Sequence, residues 1–245
     1  MKRFLLIVLI TGALIYSFKP TTEQDFLSKR FKNGYKVKAV KIENSLVAYV
    51  DFIESYETCG KDPLVYLTEN GSVKSVYKVH ISDFCVFNDK FLVSGNLIIS
   101  EWIGTAGGSG GYRGLILWKI VDGELQPVGG FPNDSDVFKT ETFISATNEN
   151  SQQQFSYPLG SMNGYSAYQL KNPLELWYAN MIWKVDEESH AAPHFWNLYS
   201  YSLNNNVFSR NQSWNNGETY ITKEKIEGWS DEAGKVLNKD FEKLY

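Results

Sequence analysis

Gly107-Gly108-Ser109-Gly110-Gly111 has the G-x-S-x-G spacing in which a strained strand-to-helix turn exposes a nucleophilic serine. Here the apolar runs on both sides, NLIISEWIGT and LILWKIVDGEL, read as strands, so Ser109 falls in a glycine-rich hairpin loop and the elbow lacks its helix. The segment Ser109 to Gly114 also misses G-x-G-x-x-G by one glycine and lacks the helix N-terminus that would hold a pyrophosphate. His190 and His194, beside Asp186, Glu187 and Glu188, have a His-x3-His spacing that places two rings on one zinc only along a helical face. Pro193 argues against that helix. Asn133, Asp134 and Asp136 form an acidic turn without the full spacing of a calcium loop. The sequence therefore points to no metal, no cofactor and no complete catalytic set.

Acids next to aromatics are the other chemistry in the chain: Glu101 precedes Trp102, Glu175 lies near Trp177, and Asp51 and Glu54 flank Phe52. Such pairs suit carbohydrate. A glycosidase, however, needs two carboxylates at a fixed separation across one cleft, which neighbouring sequence positions do not define. Strands bury aromatics, so much of this content belongs to the core, and the remainder to an aromatic-lined surface for glycans or peptides. The glycine-rich loop and its flanks, Trp102, Tyr112 and Arg113, are the expected ligand-facing residues. Glycine lets a backbone approach a partner closely, and Tyr and Arg are frequent anchors.

The elements that would position these residues repeat. Asn96 to Leu125 holds an apolar run, the glycine-rich connection, a second apolar run and an Asp122-Gly123 hairpin turn. SLVAYVDFI, LVYLTE, Asn70-Gly71 and SVKSVYKV have the same order. TETFISAT, QFSYPLGS, Asn163-Gly164 and YSAYQL repeat it less regularly, and LELWYANMIWKV, FWNLYSYSL, the Asn204 to Asn206 turn and VFSRNQSW repeat it again. Turn markers at Asn70, Asp122, Asn163 and Asn205 are 52, 41 and 42 residues apart. A mostly β chain of antiparallel hairpin units follows, either a propeller-like meander or a two-layer β-sandwich. Short helices are expected at both ends. Thr22 caps TEQDFLSKRFKNG, and Ser230 caps an amphipathic WSDEAGKVLNKDFEKLY. YKVKAVKI reads as a half-exposed strand beside which ETYITKEKI could close the fold.

At 245 residues and a formal charge of −4, the chain has no global attraction for phosphate backbones, which excludes nucleic acid as a natural partner. Its 43% hydrophobic and 21% charged residues are a globular balance, enriched in aromatics with 15 Tyr, 15 Phe and 7 Trp. Residues 1–18 have the layout of a signal peptide or N-terminal anchor: Lys2-Arg3, an uncharged run from Phe4 to Phe18, then Lys19-Pro20. Residues 19–245 form a single β-rich domain of four to five units. Export places the protein in a periplasmic or extracellular compartment, where the only two cysteines, Cys59 and Cys85, are expected to form a disulfide. The sequence is that of an exported binding or interaction module for a glycan or peptide. An extracytoplasmic hydrolase and a structural envelope protein are the alternatives.

Overall fold

The turns come first, because they fix where strands end. In the computed structural model φ is 51° and 72° at Asn70-Gly71, 52° and 78° at Asp122-Gly123, and 50° and 66° at Asn205-Asn206. Two consecutive positive φ values are the twist-matched geometry of two-residue hairpins, and Asn, Asp and Gly reach it at the lowest steric cost. The structure describes residues 21–30, 35–42, 45–52, 62–82, 84–105, 111–161, 166–171, 174–183 and 194–215.

Within them a helix α1 (Glu23–Arg30) precedes β1 (Tyr35–Ile42), β2 (Ser45–Phe52), β3 (Leu64–Glu69), β4 (Ser72–Ile81) and β5 (Cys85–Ser94). Then come β6 (Leu97–Thr105), β7 (Gly111–Val121), β8 (Glu124–Gly130), β9 (Lys139–Asn148) and β10 (Gln154–Ser161). The last four are β11 (Ser166–Lys171), β12 (Glu175–Trp183), β13 (His194–Asn204) and β14 (Val207–Asn215). The protein is mostly β. All pairings are antiparallel, and the first ten strands form one sheet in the order β1-β2-β3-β4-β9-β10-β7-β6-β5, with β8 paired to β7 beside that path. The edge strands β1 and β5 approach each other, so the sheet curls into a half-barrel. The last four strands form a separate sheet, β11-β12-β13-β14.

The hairpin units are present, but they are not separate propeller blades. Pairing of β4 with β9, from Tyr77↔Asn148 to Ile81↔Ile144, joins the first unit to the third within one sheet. The third unit is itself divided, since β9 and β10 belong to the large sheet while β11 opens the small one. The turn marker Asn163, the expected closing strand ETYITKEKI, the C-terminal helix and the N-terminal leader lie outside the described residues.

Strand alternation sorts the apolar residues of the large sheet into three layers. One set points into the curl: Val47, Val65, Tyr77, Val79, Ile98, Trp102, Ile116, Trp118, Ile144 and Leu159 among others. Ser100 lies among them. Its hydroxyl accepts the indole N–H of Trp102 at 2.8 Å and of Trp118 at 2.7 Å, and donates to the Ile116 carbonyl at 3.3 Å. That one side chain satisfies two buried indole donors, which would otherwise destabilise the core.

The outward residues of β6 and β7, Leu97, Ile99, Leu115 and Leu117, pack against Leu176, Tyr178, Tyr199 and Tyr201 of the small sheet. Helix α1 covers the outer face of β2 to β4 through Phe26, which lies against Tyr66 with ring centroids 5.1 Å apart. Thr22 caps it, accepting the Asp25 N–H at 3.2 Å.

The acidic turn after β8 holds the small sheet in place. Asp134 takes two hydrogen bonds from the Arg210 guanidinium of β14, one from Nε at 2.7 Å and one from an Nη, and a third from the Tyr201 hydroxyl at 2.9 Å. Burial, then the Asp134 carboxylate, push the Tyr201 hydroxyl well above its ordinary pKa, and hydrogen bonding to Asp134 raises that of Arg210. Both groups keep their protons, so the clamp is a fixed charge-assisted pair.

Candidate functional site

The expected ligand surface does not form as a unit. Trp102 is fully buried inside the curl with its N–H on Ser100, and so presents nothing to a ligand. Tyr112 and Arg113 are neighbours on β7, and neighbours on a strand face opposite ways. Tyr112 packs inward, edge-on to Phe84 at 5.0 Å. Arg113 lies on the outer face with its guanidinium carbon 5.7 Å from the centre of the Tyr168 ring of β11. Tyr168 in turn donates to Glu101, a carboxylate only 4% exposed and 3.9 Å from Lys90 Nζ. Arg113, Tyr168 and Glu101 thus connect the two sheets. Glu175 accepts the Trp177 N–H at 3.1 Å.

His194 is wholly buried on β13, edge-on to Trp196 at 6.1 Å. Among the described residues no group of three or more His, Cys, Asp and Glu is placed to hold a metal. Ser109, His190, Glu54 and Cys59 lie outside the described residues. Cys85 opens β5, half-buried, with Thr105 as its cross-strand neighbour.

Two concavities open instead where β8 and β10 share one edge of β7. Pairing of β10 with β7 is confined to Gly160↔Arg113 and Ser161↔Tyr112, whereas β8 pairs from Ile116↔Gly130 to Val121↔Glu124. The two strands diverge from there. One side of this fork is an apolar groove of about 330 Å3 against the β13–β14 turn, lined by Phe131, Pro132, Phe143, Tyr157, Pro158, Val207 and Phe208. Phe143 and Val207 are 41% and 61% exposed on its rim. Burial pushes the Tyr157 hydroxyl up to about 12.

The other side is a polar cleft of about 400 Å3 between β4, β8 and the β9–β10 hairpin. Tyr77 and Phe155 line its inner side with ring centroids 6.5 Å apart, Phe155 half-buried and Tyr77 only 3% exposed. Around them stand Glu124 and Gln126 of β8, Lys74 and Ser75 of β4, and Asn148, Asn150, Ser151 and Gln153 of the β9–β10 hairpin. The local sequence explains each placement. The Asp122-Gly123 turn sends β8 back so that Leu125 enters the core, its N–H donating to Ser75 Oγ at 3.0 Å, while Glu124 and Gln126 alternate away from it. Asn148 is fixed by its own turn: its Oδ1 accepts the N–H groups of Asn150 at 2.9 Å and Ser151 at 3.0 Å.

Asn148 is the cross-strand partner of Tyr77 where β9 pairs with β4. Burial raises the Tyr77 pKa, Asn148 lowers it, and Glu124 adds to the rise, so the hydroxyl stays a neutral donor beside a carboxylate. In the β9–β10 turn Gln152 holds φ at 59°, a left-handed value uncommon for a residue other than glycine. Its amide donates to the Glu149 carbonyl at 2.9 Å, which holds the turn closed.

None of these cleft residues stood out in the sequence as chemistry. The signals were the polar loop NENSQQ and the Asp122-Gly123 turn, both legible only as punctuation between strands. No protein-family model, curated protein or solved structure matches this chain.

Proposed function

We propose that the protein is an exported binding module whose polar cleft holds a sugar-sized, polyhydroxylated ligand. The observation that carries this is the pairing of an aromatic wall, Tyr77 and Phe155, with a ring of amides, hydroxyls and a carboxylate in one cleft of about 400 Å3. Sugar rings have an apolar C–H face and an edge of hydroxyls that both donate and accept. An aromatic wall suits the first, and the mixed set of Tyr77, Gln126, Gln153 and Glu124 suits the second. Glu101 and Glu175 line neither the cleft nor the groove.

The test is calorimetric titration of the mature protein with a panel of mono- and disaccharides. At least one should bind, and Phe155→Ala should weaken it by about tenfold, the loss of a modest aromatic hot spot. A panel that binds equally well to the Phe155→Ala variant would place the ligand elsewhere.

Export rests on the leader-like residues 1–18, and with it we propose the Cys59–Cys85 bridge. In the chain-entropy model it would contribute about 3.5 kcal/mol. Intact mass after alkylation of the denatured, unreduced, exported protein should show no added alkyl groups. Two added groups would mean free thiols and would remove support for an oxidising compartment.

A further inference from the structure

We propose that the ligand of the polar cleft carries a protonated amino group, as in an amino sugar, seated between Glu124 and the aromatic wall. This rests on the cleft being the binding site and adds the chemical class of the ligand to it. Among the described residues two charged side chains line the cleft, Lys74 and Glu124. Lys74 is already paired: its Nζ is 3.4 Å from Glu69 across the β3–β4 hairpin, and Glu69 is not part of the cleft lining. Glu124 makes no ion pair among the described residues, yet its charge is felt at the Tyr77 hydroxyl. The local balance is therefore one negative charge left to a ligand.

The surroundings of that charge favour an ammonium over a hydroxyl. A carboxylate accepts a charge-assisted hydrogen bond from N+–H more strongly than from a neutral O–H. The side-chain amides of Gln126 and Gln153 in the same lining would satisfy a ring or hydroxyl oxygen next to the amine. The hydrogen bonds from the Asn150 and Ser151 N–H groups to Asn148 Oδ1 tie down the β9–β10 turn that carries Asn150, Ser151 and Gln153 into the lining.

The experiment compares glucosamine with glucose, which differ at one substituent, by titration of the wild-type protein and of Glu124→Gln below neutral pH. Glucosamine should bind about fivefold more tightly than glucose to the wild type, the scale of one exposed ionic contact, and equally to Glu124→Gln. Glu124 is exposed at the start of β8, so this variant should fold, and retained glucose binding in it would confirm that. Equal affinity of the two sugars for the wild type would overturn the amine while leaving the sugar-binding proposal standing. A preference that survives in Glu124→Gln would overturn the role of Glu124. Binding of neither sugar to either protein would overturn both.

Discussion

Removing the indole of Trp118 is expected to cost about 4 kcal/mol of folding stability, the range of a large core aromatic cut to alanine. The ring is fully buried, edge-on to Tyr77 at 5.4 Å, with its N–H 2.7 Å from Ser100 Oγ. Trp118→Ala leaves a cavity behind Tyr77 and takes one of two indole partners from Ser100. Trp118→Phe keeps a ring there and should cost about half as much, since it loses a hydrogen bond and part of the volume. Because Tyr77 forms the wall of the polar cleft, Trp118→Ala should also weaken any cleft ligand while Trp118→Phe largely retains it. Urea unfolding measures the first effect, and a loss below about 1 kcal/mol for the alanine variant would mean that β7 does not present this face to the core.

Gly130→Ala is the second large effect, and it acts on the fork that creates both concavities. A Cβ built at Gly130 would sit 2.5 Å from Tyr157 Cβ and Cγ and 2.6 Å from the Leu115 carbonyl oxygen. Neither obstacle is the end of a flexible side chain, so β8 and β10 must move apart. The expected loss is about 3 kcal/mol, the upper part of the usual overpacking range. Gly123→Ala separates space from backbone conformation: nothing lies within 4 Å of its Cβ, but φ is +78°. It should cost only about 1 kcal/mol, through the left-handed backbone alone. Equal losses for the two variants, read from thermal or urea unfolding, would contradict the close packing of β8 on β10.

The contrast between these glycines shows what was legible in the sequence. Asp122-Gly123 and Asn70-Gly71 were readable as hairpins, because the positive φ values they adopt are a local preference of those residues. Gly130 was not, since its need for glycine comes from Tyr157, far away in sequence. The same division holds for the strands. Those on either side of the glycine-rich loop were recognisable from their apolar runs, yet both faces of β6 are buried, so alternation could not tell the curl from the small sheet. The markers at Asn70, Asp122 and Asn205 are hairpin turns, and their period pointed to propeller blades because nothing local encodes the pairing of Tyr77 with Asn148 that merges two units. That long-range pairing also builds the cleft, which is why its residues were missed.

That Trp102, Tyr112 and Arg113 do not share one face has a simpler cause. Tyr112 and Arg113 were grouped by adjacency to the glycine-rich loop, and the two-residue period of a strand sends adjacent side chains to opposite faces. Arg113 reaches Tyr168 across the sheets, Tyr112 reaches Phe84 inside the curl, and Trp102 is committed to Ser100. Residues spaced by two along β8, Glu124 and Gln126, share the cleft instead.

Chemical-shift mapping of backbone amides during titration with glucosamine tests the central claim most directly, because it locates the ligand without altering the protein. The shifts should gather at residues 74–77, 124–126 and 148–155, the three segments that meet at the polar cleft. Shifts gathered at residues 111–114, or along the Phe143 and Val207 rim of the apolar groove with the cleft silent, would contradict it.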